Sequence, residues 1–273
     1  MDRAALKRQL RDDEKRIVYG IDAAGMDSDG IISLMRVLRD KLRVCIQRRS
    51  SSVLMHFLYS NMAQGGKLIS DVPIACGRGC SHCCNIWVDA MAPEIFYTVG
   101  SLNGQQRRTA GGSVAGAFEI TAEKSFDERG DMVTPCPLLA GDDCSVYSAR
   151  PVVCRTAVSA DADLCRRSYR EVSGEDIPTP LVWTMLRQGY GIALEGALLH
   201  AGLPHHSVEW NSALQRVFVS PDIEARWFGG EDVFAGLPRA SNEEPFEIPI
   251  WRAMYIEAFG ETPPVAKGPL AVP

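Results

Sequence analysis

Four cysteines stand within nine residues, 76 to 84, in the stretch CGRGCSHCC, and the last two are adjacent. Thiolates at that density hold a metal ion, hold an iron–sulfur cluster, or react as nucleophiles. A disulfide between Cys83 and Cys84 is disfavoured, because the bridge needs Cα atoms farther apart than one peptide bond allows. A looser group follows in PCPLLAGDDCSVYSARPVVCRTAVSADADLC, as Cys136, Cys144, Cys154 and Cys165. Eight thiolates admit two four-ligand centres, or one centre with the surplus structural or catalytic. Neighbouring Cys83 and Cys84 can serve one centre each, or one can ligate while the other stays free. Structural zinc prefers knuckles of two to four residues, whereas close triplets with a distant fourth cysteine are typical of iron–sulfur ligation. The spacing C-x3-C-x2-CC therefore ranks an iron–sulfur cluster, of the 4Fe-4S type, ahead of zinc.

Residues beside the thiols add to this chemistry. Gly77 and Gly79 would let the loop curl around an inorganic core and aim N–H groups at sulfur. Arg150 and Arg155 flank the second group, where each would offset thiolate charge or donate hydrogen bonds to the bound cofactor. Arg150 in YSARP serves equally well as a structural ion pair before a helix opened by Pro151. His82 reads as a donor behind the ligands or as an exposed residue. Asp89 and Glu94 are acids near the first group, and a place in the first turn of a helix explains Glu94 more simply. Cys45 shares an apolar face with Leu38 and Leu42 and reads as a core thiol. His205 and His206 follow a proline and read as a solvated turn; His56 and His200 read as helix-face residues.

With both cysteine groups and the APE helix start in view, the chain resembles the YkgJ-type cysteine-cluster family of zinc- or iron-chelating proteins. The resemblance covers roughly residues 75 to 165. It implies a cysteine-bound metal centre on Cys76, Cys80, Cys83, Cys84, Cys136, Cys144 and Cys154, with Cys165 beyond the strongest motif. Members are called iron–sulfur oxidoreductases, and flagellin lysine N-methylases carry a similar cluster. The three-residue gap between Cys76 and Cys80 departs from members that have two. C-x3-C-x2-C is also the spacing of radical S-adenosylmethionine enzymes. Those enzymes place it after the first strand of a β/α barrel, whereas here the preceding residues read as helix.

The elements that must position these thiols read as mainly α. Ile31, Leu34, Met35, Leu38, Leu42 and Cys45 recur at helical spacing, which predicts helix from Ser28, as N-cap, to about Asn61. Further helices are predicted over residues 5 to 19, from Pro93, over 105 to 126, over 178 to 203 as a buried central helix, and in VEWNSALQRVF, PDIEARWF and PIWRAMYIEAFG. Strand patterns are scarce, and the tail GETPPVAKGPLAVP reads as frayed. The organisation expected is an N-terminal helical region (1–74), a cysteine module (75–170), a C-terminal helical region (171–260) and a tail (261–273).

Composition bounds the function. Hydrophobic residues make up 46% and charged residues 23%, the profile of an ordinary globular protein, and the net charge of −5 argues against a general nucleic-acid binder. No apolar run reaches the length of a membrane span, and the N-terminus has no secretory h-region, so a cytoplasmic setting with free thiols is expected. The reading is an iron–sulfur oxidoreductase with one or two clusters acting on a small molecule or protein. The alternatives are a zinc-binding structural or trafficking module and a lysine N-methylase-like enzyme. The latter lacks a glycine-rich signature for S-adenosylmethionine.

Overall fold

The computed structural model describes residues 26–241 and 244–264. The helix expected over residues 5 to 19 and the tail segment 265–273 lie outside them. The described chain is mainly α, with 59% helix and 4% strand. It opens with α1 (Ser28–Arg48) and α2 (Ser52–Leu68), followed by a 3-10 turn, His82–Asn85, that carries the paired cysteines. Next come β1 (Asp89–Met91), α3 (Ala92–Gly100), α4 (Gly104–Thr121) and α5 (Phe126–Gly130). The second cysteine group spans β2 (Leu139–Ala140), β3 (Asp143–Cys144), α6 (Val152–Thr156) and α7 (Ala162–Arg170). The chain closes with α8 (Leu181–His200), β4 (Ser207–Glu209), α9 (Trp210–Val219), α10 (Ile223–Phe228) and α11 (Pro249–Phe259).

Two helix boundaries correct the sequence reading. Asp27, not Ser28, caps α1: its carboxylate accepts the Gly30 N–H at 2.8 Å, where an anion also meets the positive end of the helix dipole. The single helix expected through Asn61 is two, because Arg49 turns left-handed (φ 50°) and its N–H closes α1 on the Cys45 and Ile46 carbonyls. A non-glycine residue in that conformation leaves no sequence signature.

The apolar face of α1 is buried as its spacing requires, from Ile31 through Leu38 to Cys45, and packs most extensively on α8. Helix α8 is buried nearly all round only from Gly189 to Leu198, whereas its first two turns bury Val182 and Leu186 and expose Leu181, Thr184, Met185, Arg187 and Gln188, so the central-helix expectation holds for its second half. Gly196 allows the close approach, since a Cβ there would stand 3.0 Å from Phe246 Cζ and 3.2 Å from Met35 Cε. One contiguous apolar cluster joins residues from Met26 to Ala258. Its sheets are minimal: β1 pairs antiparallel with β4, and β2 with β3. No β/α barrel exists among the described residues, so the context of a radical S-adenosylmethionine enzyme is missing.

Two carboxylates fasten the cysteine region to this frame. Glu94, 4% exposed, closes the first turn of α3 by accepting the Met91 N–H at 3.0 Å. Its other oxygen accepts the Val152 N–H at 2.7 Å, at the start of the helix that carries Cys154. One buried side chain thus caps two helices, the bland reading of Glu94 rather than a catalytic one. Glu209 does likewise at α9, taking the Asn211 and Ser212 N–H groups at 3.0 and 2.7 Å, and pairs with Arg129 at 3.3 Å in full burial. Asp89 accepts from the Trp87 indole and the Ala240 N–H, again a structural role.

Replacing Glu94 by Ala leaves two buried N–H groups without acceptors, at ~1–3 kcal/mol each. Urea denaturation should show a stability loss of about 2–5 kcal/mol for Glu94→Ala, with Glu94→Gln intermediate because it keeps one acceptor and the volume. An unchanged midpoint for Glu94→Ala would remove this double cap from the account of the fold.

Candidate metal centre

The cysteines converge from five separate pieces of chain. The loop of residues 76–80 makes a turn in which the Cys80 N–H bonds to the Gly77 carbonyl at 3.1 Å, with Gly79 left-handed at φ 87°. That turn needs a glycine at its third position. Gly77 is not in the left-handed region, so only one of the two expected glycines is conformationally required. The 3-10 turn then presents Cys83 and Cys84. Cys136 is anchored to it by its own N–H, which donates to the Cys84 carbonyl at 2.7 Å. Cys144 ends the β2–β3 hairpin, Cys154 sits on α6 and Cys165 on α7, which packs on the 3-10 turn.

These eight thiols line two cavities that meet at the 3-10 turn. The smaller, about 40 Å³, takes Cys76, Cys80, Cys83 and Cys165, with His82 and Tyr169 in its wall. The larger, about 60 Å³, takes Cys84, Cys136, Cys144 and Cys154, and Cys80 and Cys83 also reach it. Cys83 therefore stands at the junction of both, whereas Cys84 faces the larger alone. Cys45 is remote, fully buried in the core between α1 and α2.

Burial and sulfur crowding both disfavour ionisation of Cys76, Cys83, Cys136, Cys144, Cys154 and Cys165 in the absence of a cation. Burial pushes Cys136 up to about 11, opposed by the Leu138 N–H and a hydrogen bond with Trp210 and reinforced by the charge of Cys144. Cys154 is raised well above the usual range by burial and then by Cys136 and Cys83. Cys83 is raised by its hydrogen bond to Cys84, then by burial and by the charge of Cys84. Cys76, Cys144 and Cys165 are raised by burial as well. A metal cation reverses this balance, because a coordinated thiol gives up its proton outright.

The backbone of Ser159, not the loop glycines, aims a donor at sulfur. The Ser159 N–H points to Cys76 Sγ at 3.2 Å, while its carbonyl accepts the Ala75 N–H at 2.8 Å, so one buried residue between α6 and α7 holds the start of the first cysteine loop. Below the loop, Ser81 donates to Asp142 at 2.6 Å and Arg170 donates to Ser81 at 2.7 Å, tying the hairpin and α7 to the paired cysteines.

The two arginines part company. Arg150 lines the larger cavity and its charge favours the thiolates of Cys83, Cys144 and Cys154. It is held by stacking 3.8 Å above the Tyr147 ring and by donating to the Tyr147 carbonyl at 3.2 Å. Arg155 does not line either cavity. It donates to the Arg150 and Ser148 carbonyls and lies 3.9 Å above the Tyr59 ring, so it braces the backbone of the YSARP segment. His82 takes a place beside the ligands: it lines the smaller cavity, where its Nδ1 is buried and has no partner.

Several residues at the site carried no signal in the motif. Tyr169, on α7, faces the smaller cavity, and burial followed by the charges of Cys83, Cys165 and Cys76 lifts its phenol to about 12. Arg129, Glu209 and Asn211 form the polar wall of the larger cavity, and Arg129 Nε is buried without a partner. Glu209 lies far along the sequence from Cys84, and only the β1–β4 pairing brings it there. Among the described residues, the one group of three metal-ligating side chains with ligand atoms within 4.8 Å of one another is Glu195, His205 and His206. No three cysteine sulfurs approach that closely.

Residues 75–172 match the family model CxxCxxCC, described as "Putative zinc- or iron-chelating domain". No curated protein and no solved structure matches the chain. No helix among the described residues is long and apolar enough to cross a membrane. All eight of the cysteines gathered on the two adjoining cavities lie inside the segment that matches this family model.

Proposed function

We propose that the two cavities hold two 4Fe-4S clusters, one on Cys76, Cys80, Cys83 and Cys165 and the other on Cys84, Cys136, Cys144 and Cys154, and that the protein is an iron–sulfur oxidoreductase. The separation of the sulfurs carries this reading. Tetrahedral zinc with Zn–S bonds of about 2.3 Å keeps its thiolates about 3.8 Å apart. No three of the eight sulfurs come within 4.8 Å of one another. A cluster places several irons between its thiolates and so takes ligands that stand farther apart than one ion allows. The room agrees: a water occupies roughly 10–15 Å³ on the same measure, so cavities of about 40 and 60 Å³ exceed the needs of a single ion.

The neighbouring residues fit the same group. His82, in the wall of the smaller cavity, has a buried Nδ1 in want of a partner, as a donor to a bound cluster would. The Ser159 N–H already points at the sulfur of Cys76. When bound, such clusters supply one-electron transfer at a potential set by hydrogen bonds to sulfur, nearby charge and exposure. The chain's contribution is to exclude water with Val146, Val153 and Ile86, to place the Arg150 cation beside three thiolates, and to close the far wall of the larger cavity with the buried Arg129–Glu209 ion pair. Cys83, at the junction, gives the two sets their shortest covalent link through its peptide bond to Cys84.

Anaerobically purified protein should be brown and carry iron and acid-labile sulfide near eight per chain, as two cubanes require. Colourless protein with stoichiometric zinc would overturn the proposal. Cys83→Ala and Cys84→Ala should each lower iron to about half while sparing the other set; loss from only one of the two variants would reduce the centre to a single cluster. Arg150→Gln should make the potential more negative, because a nearby cation favours the reduced, more negative cluster, and Arg150→Lys should recover most of the shift. A potential that does not move, measured by dye-coupled titration, would leave Arg150 a purely structural role.

A further inference from the structure

Helix α8 carries one carboxylate, Glu195, in a largely buried position. Glu195 is 8% exposed and makes no hydrogen bond or ion pair with any described residue. Burying an unpaired carboxylate is costly, so such a group either stays protonated or awaits a cation. Its ligand oxygen lies within 4.8 Å of ring nitrogens of both His205 and His206, which in turn lie within 4.8 Å of each other.

The local fold explains how they meet. After α8 the chain reverses through Gly202 (φ 69°), whose N–H bonds to the Leu199 carbonyl at 3.0 Å while the Leu203 N–H bonds to the Leu198 carbonyl at 3.1 Å. This helix-terminating pair of bonds folds the next residues back along α8. The two imidazoles then lie side by side with centroids 4.1 Å apart and their planes tilted by 41°.

Glu244 flanks the two imidazoles, outside the group of three whose ligand atoms all lie within 4.8 Å. One of its oxygens lies 3.7 Å from His205 Nε2 and the other 3.5 Å from His206 Nε2. These are too long for good hydrogen bonds. They match the edge of a coordination tetrahedron, about 3.4 Å for metal–ligand bonds of 2.0–2.1 Å. We propose that Glu195, His205, His206 and Glu244 bind one divalent first-row transition cation, at a site distinct from the cysteine centre. Two imidazoles and two carboxylates, with no thiolate, suit zinc, ferrous iron, cobalt or manganese rather than a sulfur-ligated cluster. The two carboxylates offset the charge of the cation and of Arg239, which also acts on Glu195 and His206. His205 and Glu244 reach the wall of a cavity of about 340 Å³ containing Arg252, where a small anionic ligand would meet the cation.

Cobalt distinguishes this site from the cysteines, because thiolate ligation adds intense charge-transfer absorption that nitrogen and oxygen ligands do not. Full-length protein with its cysteine centre filled as isolated is titrated with Co²⁺, and the melting temperature, visible spectrum and metal content are followed. One further cobalt per chain should bind with d–d bands alone and raise the melting temperature. His206→Ala and Glu244→Gln should each weaken that binding by more than about tenfold, leaving the metal content of the cysteine centre unchanged. Glu244 is partly exposed, so its variant decides the matter even if His206→Ala folds poorly. No uptake at millimolar cobalt, uptake accompanied by thiolate charge transfer, or uptake undiminished in Glu244→Gln would overturn the proposal.

Discussion

Sulfur crowding is the constraint around which the middle of this molecule is organised. Eight thiols from the loops, a 3-10 turn, a hairpin and two short helices meet on adjoining cavities, where each ionised sulfur raises the cost of ionising the next. Such an arrangement is stable as neutral thiols or as thiolates around cations, and a poor host for anything between. The surrounding structure holds the sulfurs in register without help from sulfur itself. Glu94 caps two helices at once, Ser159 grips the first cysteine loop from both its N–H and its carbonyl, and the Ser81–Asp142–Arg170 group ties hairpin to turn.

That scaffold is tied in turn to a helical frame whose own core does not depend on the cysteines. The α1–α8 contact, tightened at Gly196, and the α9 contacts with α3 and α4 bury the large apolar side chains. The β1–β4 pair is small, yet it links the two halves where it matters: β1 runs straight into α3 and β4 straight into α9, bringing Glu209 and Trp210 to the cysteine cavity. Three residues per strand suffice because the flanking helices supply the burial that an isolated two-stranded ribbon lacks.

The division of labour between the two candidate metal sites follows ligand softness. Thiolates gather where the Ser159 N–H and the Arg150 cation temper their charge; imidazole and carboxylate gather at the end of α8, beside an arginine-bearing cavity. The soft set suits electron-accepting clusters, the harder set a Lewis-acidic ion. Both lie in regions where the sequence breaks from regular helix, since irregular backbone can turn several side chains toward one point.

The sequence by itself determined the helical class, the buried face of α1, the central helix, and the eight cysteines as one constellation, because periodicity and close spacing are local properties of the chain. The end of α1 escaped it, because Arg49 adopts a left-handed conformation that its type does not advertise. Tertiary structure alone decided how eight thiols sort between two cavities, that Arg150 faces them while Arg155 turns to the backbone, and that Gly77 is not required where Gly79 is. It also overturned the solvated-turn reading of His205 and His206, since their nearness to Glu195 and Glu244 joins residues as much as 49 apart. Proximity of that kind is created by packing, and no window of neighbouring residues contains it.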